Sequence, residues 1–211
     1  GEKNVYKEDA FARLLSGLLY ETEKNGRGEN DAYIAYAKAV QIYEEDYKTH
    51  YGLGVPLLLK QNFLAAAQWM GSREAMEAGV KFRGEDFLPL PEKAKKAEVI
   101  LFNYNGRSPY KKETAVPVPL PDGYVLSLAF PSYERRPNQV KASSLRARSA
   151  SGQLYAAESE PVEDICAIAE QNLDNRRVRV IAKMLVTAGG KYALEKAAQR
   201  RIAETRGENT A

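Results

Sequence analysis

The stretch that decides the fold reads Phe11-Ala-Arg-Leu-Leu-Ser-Gly-Leu-Leu-Tyr20 and, after a polar break, Ala32-Tyr-Ile-Ala-Tyr-Ala-Lys-Ala-Val40. Phe11, Leu14, Leu15, Leu18 and Leu19 recur at steps of three and four, the period of a helix with one apolar face. Gly17 and Tyr20 stand three apart, and Ala32, Tyr36 and Ala39 follow at steps of four and three. Small residues at these steps let two helices approach closely, and the aromatic rings fill the space between them. The spacing predicts an antiparallel helix pair packed through Gly17, Tyr20, Ala32, Tyr36 and Ala39. Helical hairpins of this kind usually hold partners rather than do chemistry.

Outward from this pair the pattern predicts a first helix over 5–25, stopped by Asn25-Gly-Arg-Gly28, and a second over 31–48 capped by Asn30 or Asp31. A third follows over 56–70 behind Pro56, and a fourth, capped by Ser72, ends near Phe82. Residues 83–96, with Leu88-Pro-Leu-Pro91, read as a hinge of extended backbone. Beyond it the chain turns β-prone. Strands are expected over 97–104, 114–118, 124–130, 139–146 and 153–157, with turn signals at Asn105-Gly106 and Asp122-Gly123. Pro117 and Pro119 argue that their strand is an edge strand or is bent. Pro161 is read as opening a helix with Glu163 and Asp164 in its first turn. A long last helix runs from about Asn175 to Glu204, interrupted at Gly189-Gly190 by a kink or a very close contact, with a disordered tail over 206–211. The fold class expected is α+β: helical hairpins over 1–84, then over 85–211 a small, mostly antiparallel sheet covered by C-terminal helices.

Composition bounds the function. With 44% hydrophobic and 28% charged residues in 211, the chain has the balance of a globular protein able to bury one good core or two small ones. No apolar run approaches the roughly 20 residues that span a bilayer, and residues 1–30 show no charged-then-apolar signal pattern. Residues 1–92 hold 11 Lys+Arg and 15 Asp+Glu, whereas 93–211 hold 20 and 13. The basic second part suits an anionic partner, or the two parts simply present solvated surfaces of opposite sign. Cys166 and His50 are the only cysteine and the only histidine. Intramolecular disulfides and zinc sites built from several Cys or His are therefore excluded, and no metal or cofactor is expected.

Further short motifs are Leu18-Leu-Tyr-Glu21, the strand-turn 99–104 followed by Asn105-Gly-Arg-Ser-Pro109 and Lys112-Glu113, Val162-Glu-Asp-Ile165, and the Ala and Lys spacing of 177–191. With the 32–39 segment, these resemble a family of bacterial envelope proteins with tetratricopeptide-like repeats, many of them predicted lipoproteins. The resemblance implies tetratricopeptide-like hairpins in the first part and an exported, lipid-anchored precursor at the periplasmic face. It implies no reaction. Tyr20 and Ala32 stand farther apart than in the usual repeat, and Glu44 stands where a proline is usual. One such repeat is fewer than a free solenoid needs, so these helices are expected to lean on the second domain or on another chain.

Candidate site residues follow from chemistry. Tyr36, Tyr43, Tyr47 and Tyr51 form a stripe on the second helix, suited to a peptide groove or to packing inside the bundle. In Asn105-Gly-Arg-Ser-Pro-Tyr-Lys-Lys112, a glycine turn sits beside Arg107, Lys111 and Lys112. That loop is either an anion cradle or a plain exposed strand-to-strand connection; it lacks the Gly-Lys-Ser/Thr of a Walker loop. Cys166 shares a helix face with Ile165, Ala169 and Leu173 and is expected to be buried and unreactive; His50 is expected to serve the carbonyls at a helix end. Glu44, Glu45 and Asp46 diverge around a helix, so no acid–base pair is read there. Cations of the last helix from Arg176 to Arg201 scatter around its axis with Tyr192 as the one aromatic, which disfavours nucleic acid. The function expected is a non-catalytic protein- or peptide-binding module of the bacterial cell envelope. The alternative is an anion- or nucleic-acid-binding domain using the basic half.

Overall fold

The computed structural model describes residues 8–23, 27–136 and 138–208, the side chains of 204–208 excepted. The expected helix start at residue 5, the stop at Asn25 and Gly26, and the tail end at 209–211 lie outside the described residues. The chain is α+β. It divides into two compact units, Gly1–Gly106 with Asn138–Ala167, and Arg107–Pro137 with Ile168–Ala211. The boundary expected at residues 84 and 85 falls inside the first unit, because 138–167 rejoins the N-terminal helices.

In the first unit, α1 (Ala10–Tyr20) starts at Asp9, whose Oδ1 accepts a hydrogen bond from the Ala12 N–H at 2.9 Å. It buries Ala10, Phe11, Leu14 and Gly17 against α2 (Gly28–Ile42), whose Ala32, Tyr36 and Ala39 are fully buried. Gly28, at the start of α2, lies against the carbonyl of Tyr20, at the end of α1, so the two helices run antiparallel as expected. Neither Asn30 nor Asp31 caps α2, which begins earlier, at Gly28, with no side-chain cap. The same rod continues through a π-helical turn (Tyr43–Tyr47) into α3 (Lys48–Tyr51). Next come α4 (Leu57–Met70), preceded by Pro56, and α5 (Ser72–Lys81). Tyr33 stacks on Phe63 at 5.7 Å, and Phe63 meets Phe82 edge-on at 6.0 Å. The core is thus aromatic and alanine-rich, with large rings set against small residues.

A short α6 (Leu90–Lys93) follows, and its Lys93 enters the core edge. The strand expected over 97–104 is absent: this segment joins no ladder. The side-chain amides of Asn103 and Asn105 reach the Ser143 hydroxyl and the Val140 carbonyl instead. Asparagine competes with ladder pairing in this way. The single sheet expected is in fact two separate hairpins. In the first unit β3 (Ser144–Arg148) pairs antiparallel with β4 (Leu154–Glu158), Leu145 opposite Ala157. Residues 139–143 of the expected strand stay outside that ladder.

In the second unit β1 (Tyr110–Pro119) pairs antiparallel with β2 (Val125–Glu134) around the Asp122-Gly123 turn, where Gly123 takes φ +81°. Pro117 lies opposite Ser127, Pro119 opposite Val125, and Pro131 opposite Glu113. These pairs share one parity, the set that exchanges no N–H···O bonds, and the Leu120 N–H bond to the Tyr124 carbonyl at 2.8 Å falls in the other set. The missing proline N–H groups therefore face the two open edges and blunt them. After α7 (Ile165–Asn175), whose N-cap is Asp164 rather than Pro161, α8 (Arg177–Glu208) runs without a break through Gly189-Gly190. Nothing lies within 4 Å of where a side chain on either glycine would begin, so the close contact is not present there. Ile181, Met184, Ala188 and Tyr192 form the less exposed stripe of α8, which packs on β2. Asp122 fixes this contact, accepting from the Tyr192 hydroxyl and pairing with Lys196, both at 2.7 Å.

Candidate functional site

The first unit contains a cleft of about 450 Å³ lined by α1, the end of the 94–105 segment, the 138–145 strand entry and the 157–165 return. Its floor is apolar. Phe11 and Leu14 project from α1, Leu145 and Ala157 come from one face of the β3–β4 hairpin, and Val99, Leu101 and Phe102 come from the unpaired segment. Phe11 meets Phe102 edge-on at 5.8 Å and Tyr104 at 6.5 Å. Tyr104 stands at the lip, 83% exposed. Four carboxylates, Glu98, Glu158, Glu160 and Glu163, line the cleft against one cation, Lys141.

Two devices hold these walls. Lys93 pairs with Glu21 at 2.6 Å and Glu98 at 3.2 Å and donates to Asn62 Oδ1 at 2.8 Å; the Tyr36 hydroxyl donates to the same Glu21 at 2.8 Å. This node fixes the root of the 94–105 segment on α1, α2 and α4. On the other side the Tyr43 hydroxyl donates to the Val162 carbonyl at 2.7 Å, and the Leu58 N–H reaches Glu160 Oε1 at 3.3 Å. At the same edge, burial first, then the charge of and hydrogen bonding to Asp9, the cap of α1, raise the Glu163 pKa to about 7.

The π turn explains how one helix serves this wall. Its extra residue per turn sets Tyr43 and Tyr47 edge-on at 4.9 Å, and both phenols are pushed up, chiefly by burial. The tyrosine stripe is accordingly a support and not a groove: Tyr36, Tyr43 and Tyr47 are buried, and Tyr51 is half-buried against Tyr47. Nor do Arg107, Lys111 and Lys112 converge. All three are exposed; Lys111 and Lys112 are successive residues of β1 and point to opposite faces, and Lys112 pairs with Glu134 at 3.3 Å. Residues 105–109 lead into β1 but follow no strand, with Gly106 at φ +97°. Cys166, expected to be buried, is half-buried, because α7 buries none of its residues. His50 Nδ1 lies 3.1 Å from the Asp46 carbonyl and 3.3 Å from its Oδ1, a contact within its own helix.

Sequence reading missed the Asp9–Glu163 pair, whose partners no local spacing relates. It also missed the cleft, since the 98–105 run looks like any buried strand. Among the described residues no group of three or more His, Cys, Asp or Glu is placed to hold a metal ion, and no helix is long and apolar enough to cross a membrane. No family model, no curated protein and no solved structure matches the chain.

Proposed function

We propose that this protein is a non-catalytic binding module whose cleft in the first unit receives an extended peptide carrying alternating apolar and basic side chains. The observation that carries this reading is the cleft itself: an aromatic and aliphatic floor under a rim with four carboxylates and one lysine. An apolar floor supplies affinity by burying side chains, and a rim of one sign selects partners of the other. The 98–105 segment forms no backbone–backbone hydrogen bond among the described residues, so its N–H and C=O groups are open to strand addition. The setting at the bacterial cell envelope belongs to the same proposal and is supported by the family resemblance alone.

The test is a titration of the full chain with an acetylated, amidated Leu-Arg-Leu-Lys-Leu pentapeptide, followed by amide NMR. Shifts confined to residues 98–105 and 138–163, weakened about tenfold by Tyr104→Ala, support the reading; truncating an exposed interfacial aromatic costs about that much. Absence of shifts, or shifts that Tyr104→Ala leaves unchanged, refutes it.

A further inference from the structure

We propose that residues 97–105 pair antiparallel with the same segment of a second copy of this chain, about a two-fold axis through Leu101, and that this pairing competes with peptide for the edge of the cleft. The pairing stands apart from the reading of the cleft as a peptide site; the competition rests on that reading.

The segment is an unguarded strand edge. It forms no backbone–backbone hydrogen bond among the described residues, and all of it except Ile100 is exposed, with Val99 at 66% and Leu101 at 53%. Asn103 and Asn105 send their amides to Ser143 and Val140 on one flank, while Phe102 and Tyr104 turn their rings to Phe11 on the other. Side chains that alternate between two flanks mark extended backbone, whose hydrogen-bonding groups point across the line of the side chains. The flanks are taken, and an exposed row of N–H and C=O groups is left with no ladder partner. Such a row is a template for another strand. The β1–β2 hairpin of the second unit shows the contrast: three prolines blunt its edges, and 97–105 contains none.

A second copy fits this edge residue by residue. Pairing the whole segment antiparallel puts Leu101 opposite Leu101, Ile100 opposite Phe102, Val99 opposite Asn103, Glu98 opposite Tyr104 and Ala97 opposite Asn105. Apolar side chains meet at the centre. The one charged residue, Glu98, meets an aromatic ring and keeps its own Lys93 at 3.2 Å, so no like charges face each other. The contact is isologous, so it closes at two copies and does not propagate. Its area is that of one short strand and a few side chains, at the low end of specific interfaces, so the association is weak. Two copies of a unit with 17 Lys+Arg and 20 Asp+Glu also repel. Salt should therefore tighten the pair, whereas it should weaken a basic peptide held by the carboxylates of the cleft.

Sedimentation of the full chain from about 10 µM to about 1 mM reads the pairing, the range over which so small a contact dissociates. The mean mass should rise from the 23.5 kDa of one chain toward twice that value. It should do so severalfold more readily in about 1 M than in about 0.1 M salt, as the screening length falls from about 10 to about 3 Å. Leu101→Pro removes an N–H that no ladder bond of the single chain uses, so this variant should keep its circular dichroism and stay monomeric. Leu101→Lys and Leu101→Glu should each stay monomeric, because like charges meet on the axis, and their equimolar mixture should associate at least as readily as the wild type. A wild type that is monomeric at the highest concentration in both salts overturns the pairing. So does a dimer that Leu101→Pro leaves intact, or a mixture no more associated than its components. Where the dimer dominates, saturating pentapeptide should return the mass to that of one chain with its peptide. Peptide-induced amide shifts with the dimer intact overturn the competition and leave the cleft reading standing. If the peptide causes no shifts, the cleft reading fails, and the mass of the Lys and Glu mixture still decides the pairing.

Discussion

A Cβ placed on Gly17 would stand 2.3 Å from Cε1 of Tyr36 and 2.5 Å from its Cδ1, far inside contact distance. Tyr36 cannot swing aside, because its ring is fully buried and its hydroxyl is committed to Glu21. The glycine is therefore required by the neighbouring ring and not by its backbone angles. Gly17→Ala should destabilise the protein by about 1–3 kcal/mol net, the overpacking exceeding the about 0.5–1 kcal/mol that better helix propensity returns. Equilibrium urea unfolding checks this, and a loss below about 0.5 kcal/mol would mean that α1 slides away from α2 at little cost. At the same scale Lys93 shows why burial of charge needs company: its side chain is only 14% exposed and its ammonium meets Glu21, Glu98 and Asn62 together.

At the scale of elements, α8 is a helix that carries two residues against its own propensity. Gly189 and Gly190 sit in its middle with nothing within 4 Å of where a side chain would begin. Backbone entropy and lost propensity make each cost about 0.5–1 kcal/mol relative to alanine. Gly189→Ala and Gly190→Ala should each raise stability by that amount, and together raise the thermal midpoint by a few degrees in a circular dichroism melt. A fall on either substitution would show that something packs there which these contacts do not include. The β1–β2 hairpin makes the opposite choice. It accepts three prolines, but only at pairs where no ladder bond is lost, so its strands keep their register while their edges stay closed to other chains.

At the scale of the molecule, the first unit is discontinuous in sequence. The helices before residue 84 depend on later residues: Phe102 and Tyr104 cover Phe11, Val162 accepts from Tyr43, and Lys93 neutralises Glu21. A fragment of residues 1–84 should therefore stay largely helical but melt well below the intact chain and with weaker cooperativity. A fragment melting as sharply and as high as the whole chain would make the 1–84 boundary a true domain limit. Charge follows the same division. The first unit carries 17 Lys+Arg against 20 Asp+Glu, and the second 14 against 8, so the acidic cleft belongs to the acidic unit.

The sequence by itself determined the elements whose causes are local. The apolar period of α1, the small residues of α2, Pro56 before α4 and the Asp122-Gly123 turn each act over a few residues, and each forms the expected element, α1 ending earlier and α2 starting earlier than the pattern placed them. The α+β class follows from them. Tertiary structure decided what depends on distant partners. The 97–104 run has strand composition, but it is held by the Asn103 and Asn105 side-chain amides on Ser143 and Val140 and not by ladder pairing. The tyrosines of the second helix read as groove or as core, and the ring-to-glycine contact, the Val162 carbonyl and the π turn made them core. Asp9 and Glu163 meet only because 138–167 returns to α1. Periodicity reports which face of an element is apolar; it carries no record of what that face will meet, since the free energy of that choice lies in contacts between residues far apart in the chain.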